Sequence, residues 1–402
     1  MSPQLTPVAK QDLEDLLKAR NDKAPGVCVG VIDAEGQVQF LGAGGPKSIE
    51  DASEPLDQDS VFWIASCTKL VTAIACCQLI EQAKLELDQP VEEVLPHLAQ
   101  PDLIRSSEPK LEIVKAKNKM TLRMLLTHTA GYGYHWYSNK LRDWVAEHKL
   151  DEFNGHTLPM PLIEEPGTCW NYGINIDIVG EMIEKVSGMK LGDYFQQHIF
   201  EPLGVQEATF DIQSRPEMLK RLVPVHRYDP ESHAYSLNKG GTPLANRPSM
   251  HSGGAGLFTT PSEYLKVLVP ILRGGLGGNG TRVLKEETVR LMFEDHVAAL
   301  NVTKGTTEPS DRSQSEWCLD PQQLHKLGLP ATWGISFLLN KAAFPNGRPQ
   351  GSAEWGGLAN LAWYAAPGKA GIIVFHQILP YGDPGFKSIC EKVETIVWNG
   401  ME

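Results

Sequence analysis

Between Leu70 and Ile80 only Thr72 and Gln78 are polar, so a helix over this stretch is apolar nearly all round and has to be buried on every side. A helix with no face to give to water needs layers of structure around it. The chain can provide them: 402 residues exceed the ~100–150 of a usual compact domain, so one large two-layer domain or two intimate ones are the expected plans. Its 42 % hydrophobic and 21 % charged residues are those of a folded globular chain.

Around that helix the sequence alternates in type. A first helix is expected over about 8 to 20, and GVCVGVID with QVQFLGAG reads as a hairpin turning at Ala34-Glu35-Gly36. From about 85 to 245, helical patterns (TLRMLLTHT, LRDWVAEH, INIDIVGEMIEKVSG, LGDYFQQHIF) alternate with Pro/Gly-punctuated loops. The last part returns to helices in PSEYLKVLVPILRGG and KEETVRLMFEDHV, then to strands in ATWGISFLL, LANLAWYAA and AGIIVFHQIL, with a final helix over about 385 to 399. Strands at both ends enclosing a helical middle imply an α/β domain from residues 1–84 and 246–402, a mostly helical domain over 85–245, and a cleft where they meet. Residues 301 to 330, rich in Thr, Ser, Gln and Asp, read as a surface excursion.

Composition narrows the partners. A formal net charge of -12 without a Lys/Arg-rich run gives no electrostatic footprint for nucleic acid or anionic lipid. MSPQLTPVAKQDLEDLLKAR places acidic residues where a secretory signal would be apolar, and no segment has the ~18 uncharged apolar residues of a membrane span. The expected location is the cytoplasm. Seven cysteines without a CxxC pair form neither a disulfide framework nor a zinc site and are expected to be reduced and mostly buried. The absence of His-Glu-x-x-His, of a phosphate-binding glycine loop and of a dinucleotide fingerprint points to chemistry without metal or cofactor.

FWIASCTKL, which opens the apolar helix, sets Ser66, Cys67 and Thr68 in front of Lys69. Serine three residues before lysine occurs four times in the chain. Pro109 interrupts the match at Ser107, Gly188 the one at Ser187, and the match at Ser236 runs into Gly240-Gly241. Only Ser66 begins a long buried helix. Residues three apart share a helix face, so Lys69 can hydrogen-bond the Ser66 hydroxyl, while Cys67 turns ~100° away and has no base at a suitable spacing. A helix start also offers a free backbone N–H and a positive dipole end to a developing oxyanion. The same spacing suits a capping serine beside a buried, paired lysine.

FWIASCTKL, LLTHTAGY, EPGTCWNYGIN, HSGGAGLFTTPSEY and EWGGLANLAW together resemble, in order and approximate spacing, the serine β-lactamase and penicillin-binding-protein superfamily in its class C-like esterase branch. The likeness covers nearly the whole chain. Within that branch it runs to the fungal acyltransferases that acylate a statin-type polyketide, where a tyrosine is likewise followed by Gly, an apolar residue, Asn, an apolar residue and Asp. The resemblance implies a class C β-lactamase-like α/β fold, an antiparallel sheet flanked by helices plus the helical domain. It also implies Ser66 as acyl-bearing nucleophile, Lys69 as its proton partner and Tyr172 as general base or acid. A phenol is a poor base at neutral pH unless a neighbouring ammonium stabilises the phenolate, which Lys69 could do across a cleft.

Two departures from the branch carry information. Where its β-lactam hydrolases have Tyr-x-Asn, position 174 is Ile and asparagine comes at 175, which puts the usual amide contact to substrate in question. Lys-Thr-Gly is absent, and Trp355-Gly356-Gly357 stands in its place; without that cation and hydroxyl for a carboxylate, esters or thioesters are favoured over penicillins. Glycine in a strand marks a bulge or a close backbone approach, and the resemblance implies an oxyanion hole formed by the N–H groups of Ser66 and Leu358. Trp355, Gly356 and Gly357 are expected to contact substrate. GYGYHWYSN, residues 131 to 139, is a pliable aromatic loop that either covers the helical part or walls a pocket through Tyr134 and Trp136. His128 is read as structural.

The expected activity is that of a serine acyltransferase that takes an acyl group from an ester or thioester, such as one on a carrier protein or coenzyme A, and passes it to a small-molecule alcohol or amine. A carboxylesterase on the same site, and a non-catalytic binding protein of the same fold, are the alternatives.

Overall fold

The computed structural model describes residues 3–20, 23–107, 110–150, 160–247, 249–298 and 331–402; the excursion expected over 301 to 330 lies outside the described residues. The chain opens with α1 (Pro7–Lys18), whose Thr6 side chain caps the Ala9 N–H, and continues into β1 (Val27–Asp33) and β2 (Val38–Gly44), the expected hairpin. The apolar stretch forms α2 (Thr68–Glu81), in which every residue from Thr68 to Leu79 is buried.

The middle of the chain contains α3 (Leu122–Leu126), α4 (Asn139–Glu147), α5 (Asn175–Ser187) and α6 (Leu191–Phe195). α5 ends at Gly188 in the left-handed conformation, φ 72°, which glycine adopts freely. The middle is less purely helical than its patterns suggest. Asp102–Ser106 pairs with Glu112–Lys115, and His226–Asp229 pairs with Ala234–Leu237. These strands are short and partly exposed, so they carry little hydrophobic periodicity.

After α7 (Pro261–Leu272) and α8 (Glu286–Met292) come β3 (Ala331–Trp333), β4 (Leu338–Asn340), β5 (Ala353–Gly357), β6 (Leu361–Ala366) and β7 (Ala370–Phe375), then α9 (Pro384–Gly400). One antiparallel sheet of seven strands runs β3-β4-β5-β6-β7-β1-β2, so the first hairpin is sewn onto the last strands of the chain. Val27, Val29 and Val31 point to one face, against α1 and α9, in a core with Leu13, Val393 and Val397. Cys28 and Ile32 point to the other face, toward α2 and α7. ATWGISFLL, expected as one strand, is the hairpin β3-β4 with Trp333 opposite Leu338. Gly334 donates to the Phe337 carbonyl and Ser336 has φ 68°; an unbroken apolar run conceals a tight turn of this kind.

Candidate active site

The strand pair Phe62–Trp63 with Phe258–Thr259 delivers the chain to a 3-10 turn, Ala65–Cys67, which runs directly into α2. Ala65 has φ 44°, a left-handed conformation that a residue with a Cβ adopts at a cost of order 1–3 kcal/mol. The turn leaves Ser66 on the wall of a cleft and Cys67 in the core. Both are buried, but only Ser66 lines the cleft. Burial raises the Cys67 thiol well above its ordinary range, against the pull of Lys69, and the Thr68 hydroxyl is occupied by the Leu257 N–H. Of the three neighbouring candidates, Ser66 alone faces open space.

Lys69 is fully buried, and its ammonium has an acceptor for each of its three donors: Ser66 Oγ at 3.0 Å, the Tyr134 hydroxyl at 3.3 Å and the Gly254 carbonyl at 2.7 Å. Gly254 is fixed in turn, because the Asp177 carboxylate on α5 accepts from both its N–H and the Ser252 hydroxyl. Tyr172 lies 2.7 Å from Ser66 Oγ through its hydroxyl, and that hydroxyl accepts from the Trp355 indole N–H at 3.1 Å. Lys69 reaches Tyr172 through the ring face, with Nζ 4.8 Å from the centroid. Its hydrogen bonds go elsewhere, so Ser66 bridges Lys69 and Tyr172.

The glycines of the third motif act by close approach, without a bulge. β5 keeps regular register with β6, Gly356 opposite Ala362 and Gly357 opposite Leu361. A Cβ on Gly357 would meet the Ile64 carbonyl at 2.6 Å, and one on Gly356 the Leu361 carbonyl at 2.5 Å. The bare Gly357 lets β5 press against the turn that carries Ser66, the bare Gly356 lets it close on β6, and Leu358, next along the chain, lines the same cleft.

The cleft measures about 560 Å3 counting its open mouth. Ser66, Tyr172, Tyr134, Trp136, Trp355, Gly356, Gly357 and Leu358 all line it, joined by Trp63, Tyr137 and Tyr381, which the sequence did not single out. Tyr134 stacks on Trp136 with centroids 4.4 Å apart. The aromatic loop is therefore wall and more than wall, since Tyr134 also holds Lys69. Burial keeps the Tyr134 phenol well above its ordinary range, so it stays neutral. No spacing rule links Tyr134 or Gly254 to Lys69, because both contacts depend on the tertiary fold.

Asn175 does not line the cleft. Its amide is fully buried and donates to His128 Nδ1 at 3.0 Å. His128, φ 57°, packs its ring 4.8 Å from the Tyr172 ring. Burial, then the Lys69 charge, hold the imidazole well below its usual value, so it supports Tyr172 as a neutral wall. Among the described residues no group of His, Cys, Asp or Glu could hold a metal ion, and no helix is long and apolar enough to cross a membrane.

The model of the beta-lactamase family matches residues 13–380. The chain is 28 % identical over 402 residues to monacolin J acid methylbutanoyltransferase of Aspergillus terreus, covering 94 % of this chain and 92 % of that protein. It is 30 % identical to lovastatin esterase of Penicillium rubens, covering 85 % and 86 % respectively. Among solved structures, unliganded simvastatin synthase from Aspergillus terreus superposes with a TM-score of 0.80 at 26 % identity, covering 97 % of each chain.

Proposed function

The chain belongs to the beta-lactamase family, and from that premise we propose that it is a serine acyltransferase working by way of an acyl-Ser66 intermediate. The observation that carries the reading is the pair of contacts on one oxygen, Lys69 at 3.0 Å and Tyr172 at 2.7 Å from Ser66 Oγ, on the wall of a cleft. In the first half-reaction Tyr172 enters as its phenolate: Ser66 Oγ bonds to the carbonyl carbon of a thioester or ester and its proton passes to the phenolate oxygen, leaving Tyr172 neutral. The carbon–sulfur or carbon–oxygen bond then breaks, and the leaving thiol or alcohol takes that proton. In the second, the acceptor's hydroxyl gives its proton to Tyr172 as its oxygen bonds to the acyl carbon. The Ser66 ester breaks and Ser66 recovers the proton. The backbone N–H groups of Ser66 and Leu358 serve the oxyanion in both halves, a role in which one donor is typically worth ~10²–10³ in rate.

Among the described residues no charged side chain lines the cleft, whose walls beside Ser66 are aromatic and aliphatic. An uncharged acyl group and an apolar small-molecule acceptor suit such walls. Relatives named for methylbutanoyl transfer to monacolin J acid support an alcohol of a secondary metabolite as acceptor. A carrier-protein or coenzyme A thioester as donor would place the reaction in the cytoplasm. Hydrolysis is the second reading, favoured by the 30 % identity to a lovastatin esterase.

A thioester of a short branched acid, incubated with the enzyme and a panel of polycyclic and linear alcohols, separates these readings by mass spectrometry. We expect an intact-mass acyl adduct that is lost in Ser66→Ala, and more ester than free acid with at least one apolar alcohol. Water is at about 55 M, so transfer wins only if the acceptor is held in attack geometry, where effective molarities of ~10⁵ M or more are attainable. Free acid as the dominant product with every acceptor would move the assignment to carboxylesterase.

A further inference from the structure

The Trp355 side chain does something that lining a cleft does not require. Its indole Nε1 lies 3.1 Å from the Tyr172 oxygen, while its ring meets the Tyr172 ring edge-on, centroids 4.9 Å apart. The indole is 6 % exposed, rests against the Trp333 ring at 4.7 Å and is borne on β5, where Trp355 pairs with Trp363. Its direction is therefore fixed by packing. An indole N–H only donates, so the Tyr172 oxygen always accepts this bond, whichever of Tyr172 and Ser66 holds the proton between them. A donor aimed at an oxygen favours the more negative form of that oxygen, and such charge-assisted bonds are about twice as strong as neutral ones.

We propose that Trp355 is a positioning residue for the acyl transfer: its indole N–H holds the Tyr172 oxygen toward Ser66 and stabilises the phenolate that removes the Ser66 proton. The inference rests on the proton-carrying role proposed above for Tyr172. Other titratable groups that face Tyr172 are Lys69, Tyr134, Tyr137 and His128. Tyr134 and His128 stay neutral through this range, the first raised and the second lowered by burial. Lys69 already spends its three donors on Ser66, Tyr134 and Gly254, which leaves the indole as the N–H donor to the Tyr172 oxygen among the described side chains.

The test removes the N–H and keeps the shape. Trp355 is replaced by 3-benzothienylalanine, which has sulfur in place of the indole N–H, and the thermal midpoint is measured to show that packing is preserved. Acylation of Ser66 by p-nitrophenyl butyrate is followed from pH 6 to 9.5; its leaving group needs no proton, so the profile reports the base step. We expect the rising limb of kcat/KM to move up by about one pH unit and the rate at pH 7 to fall roughly tenfold, recovering toward pH 9.5. A profile superimposable on the unmodified enzyme's, or a loss that is the same at every pH, would overturn the proposal. Tyr172→Phe is run alongside. If Tyr172→Phe is inactive while the benzothienyl profile is unshifted, Trp355 alone is discarded. If Tyr172→Phe turns over normally, the role of Tyr172 falls and takes this inference with it.

Discussion

At the scale of residues, the choice among Ser66, Cys67 and Thr68 turns on direction more than on intrinsic nucleophilicity. A thiolate is the stronger nucleophile, but Cys67 is fully buried among apolar side chains and its thiol is pushed up by that burial, so it stays protonated and out of reach. Cys67→Ala should keep acylation of Ser66 within about threefold and lower stability by roughly 1 kcal/mol. Rate and denaturant midpoint measured on the same preparation check this, and loss of the acyl adduct in Cys67→Ala would reverse the assignment. The three-residue spacing of Ser66 and Lys69 was legible because it is local, the 3-10 turn that holds Ser66 running directly into α2. The strained Ala65, the Gly254 carbonyl and the Tyr134 hydroxyl were not. Each exists only once distant segments are packed, and Asp177, visible in sequence only as the end of a tyrosine motif, acts by fixing Gly254 from another element.

Among the elements, the all-apolar helix and the first hairpin could be read from periodicity, since both express one constant environment along their length. β3-β4 could not, because the turn at Gly334 interrupts the chain without interrupting its hydrophobicity. β5 is the element on which the cleft most depends, and its foundation lies on the opposite face of the sheet from Trp355. There Arg348, 4 % exposed, sits between the Phe344 and Tyr364 rings. It donates to both oxygens of Glu394 on α9, at 2.5 and 2.6 Å, and to Glu354 of β5. Removing the cation strands two carboxylates, one of them nearly water-free. Arg348→Met should therefore destabilise the protein by about 3–5 kcal/mol, the usual penalty for breaking a buried pair from one side. Denaturant unfolding checks it, and a change below about 1 kcal/mol would show that α9 and β5 are held by apolar packing alone.

Across the whole molecule, the sheet that joins the chain's two ends could be anticipated because strand patterns occur at both ends with helices between. The histidines are a property that only the folded molecule displays. His128, His226 and His376 are each fully buried, and His128 Nε2, His226 Nδ1 and both ring nitrogens of His376 have no hydrogen-bond partner among the described residues. Burial lowers all three. His226 falls to about 4, and His128 and His376 well below the usual value, helped by Lys69 in the first case and by Arg20 and His226 in the second. The unfolded chain protonates these rings near pH 6.5 and the folded protein does not, so over that window the unfolded state binds more protons and stability rises with pH. The contribution is fully present above about pH 6.5 and is lost as the pH falls toward the folded values, for His226 toward about 4. Each ring adds at most ~1.4 kcal/mol per pH unit, so the three together set an upper slope of about 4 kcal/mol per unit between pH 6 and 5, above the range where most carboxylates titrate. The thermal midpoint should fall steeply over that interval, and His376→Phe, placed beside Phe386, should flatten the slope by about one proton. A midpoint unchanged from pH 7 to 5 would mean that the imidazoles are protonated in the folded protein, and the buried sites would then have to hold charge that their surroundings do not compensate.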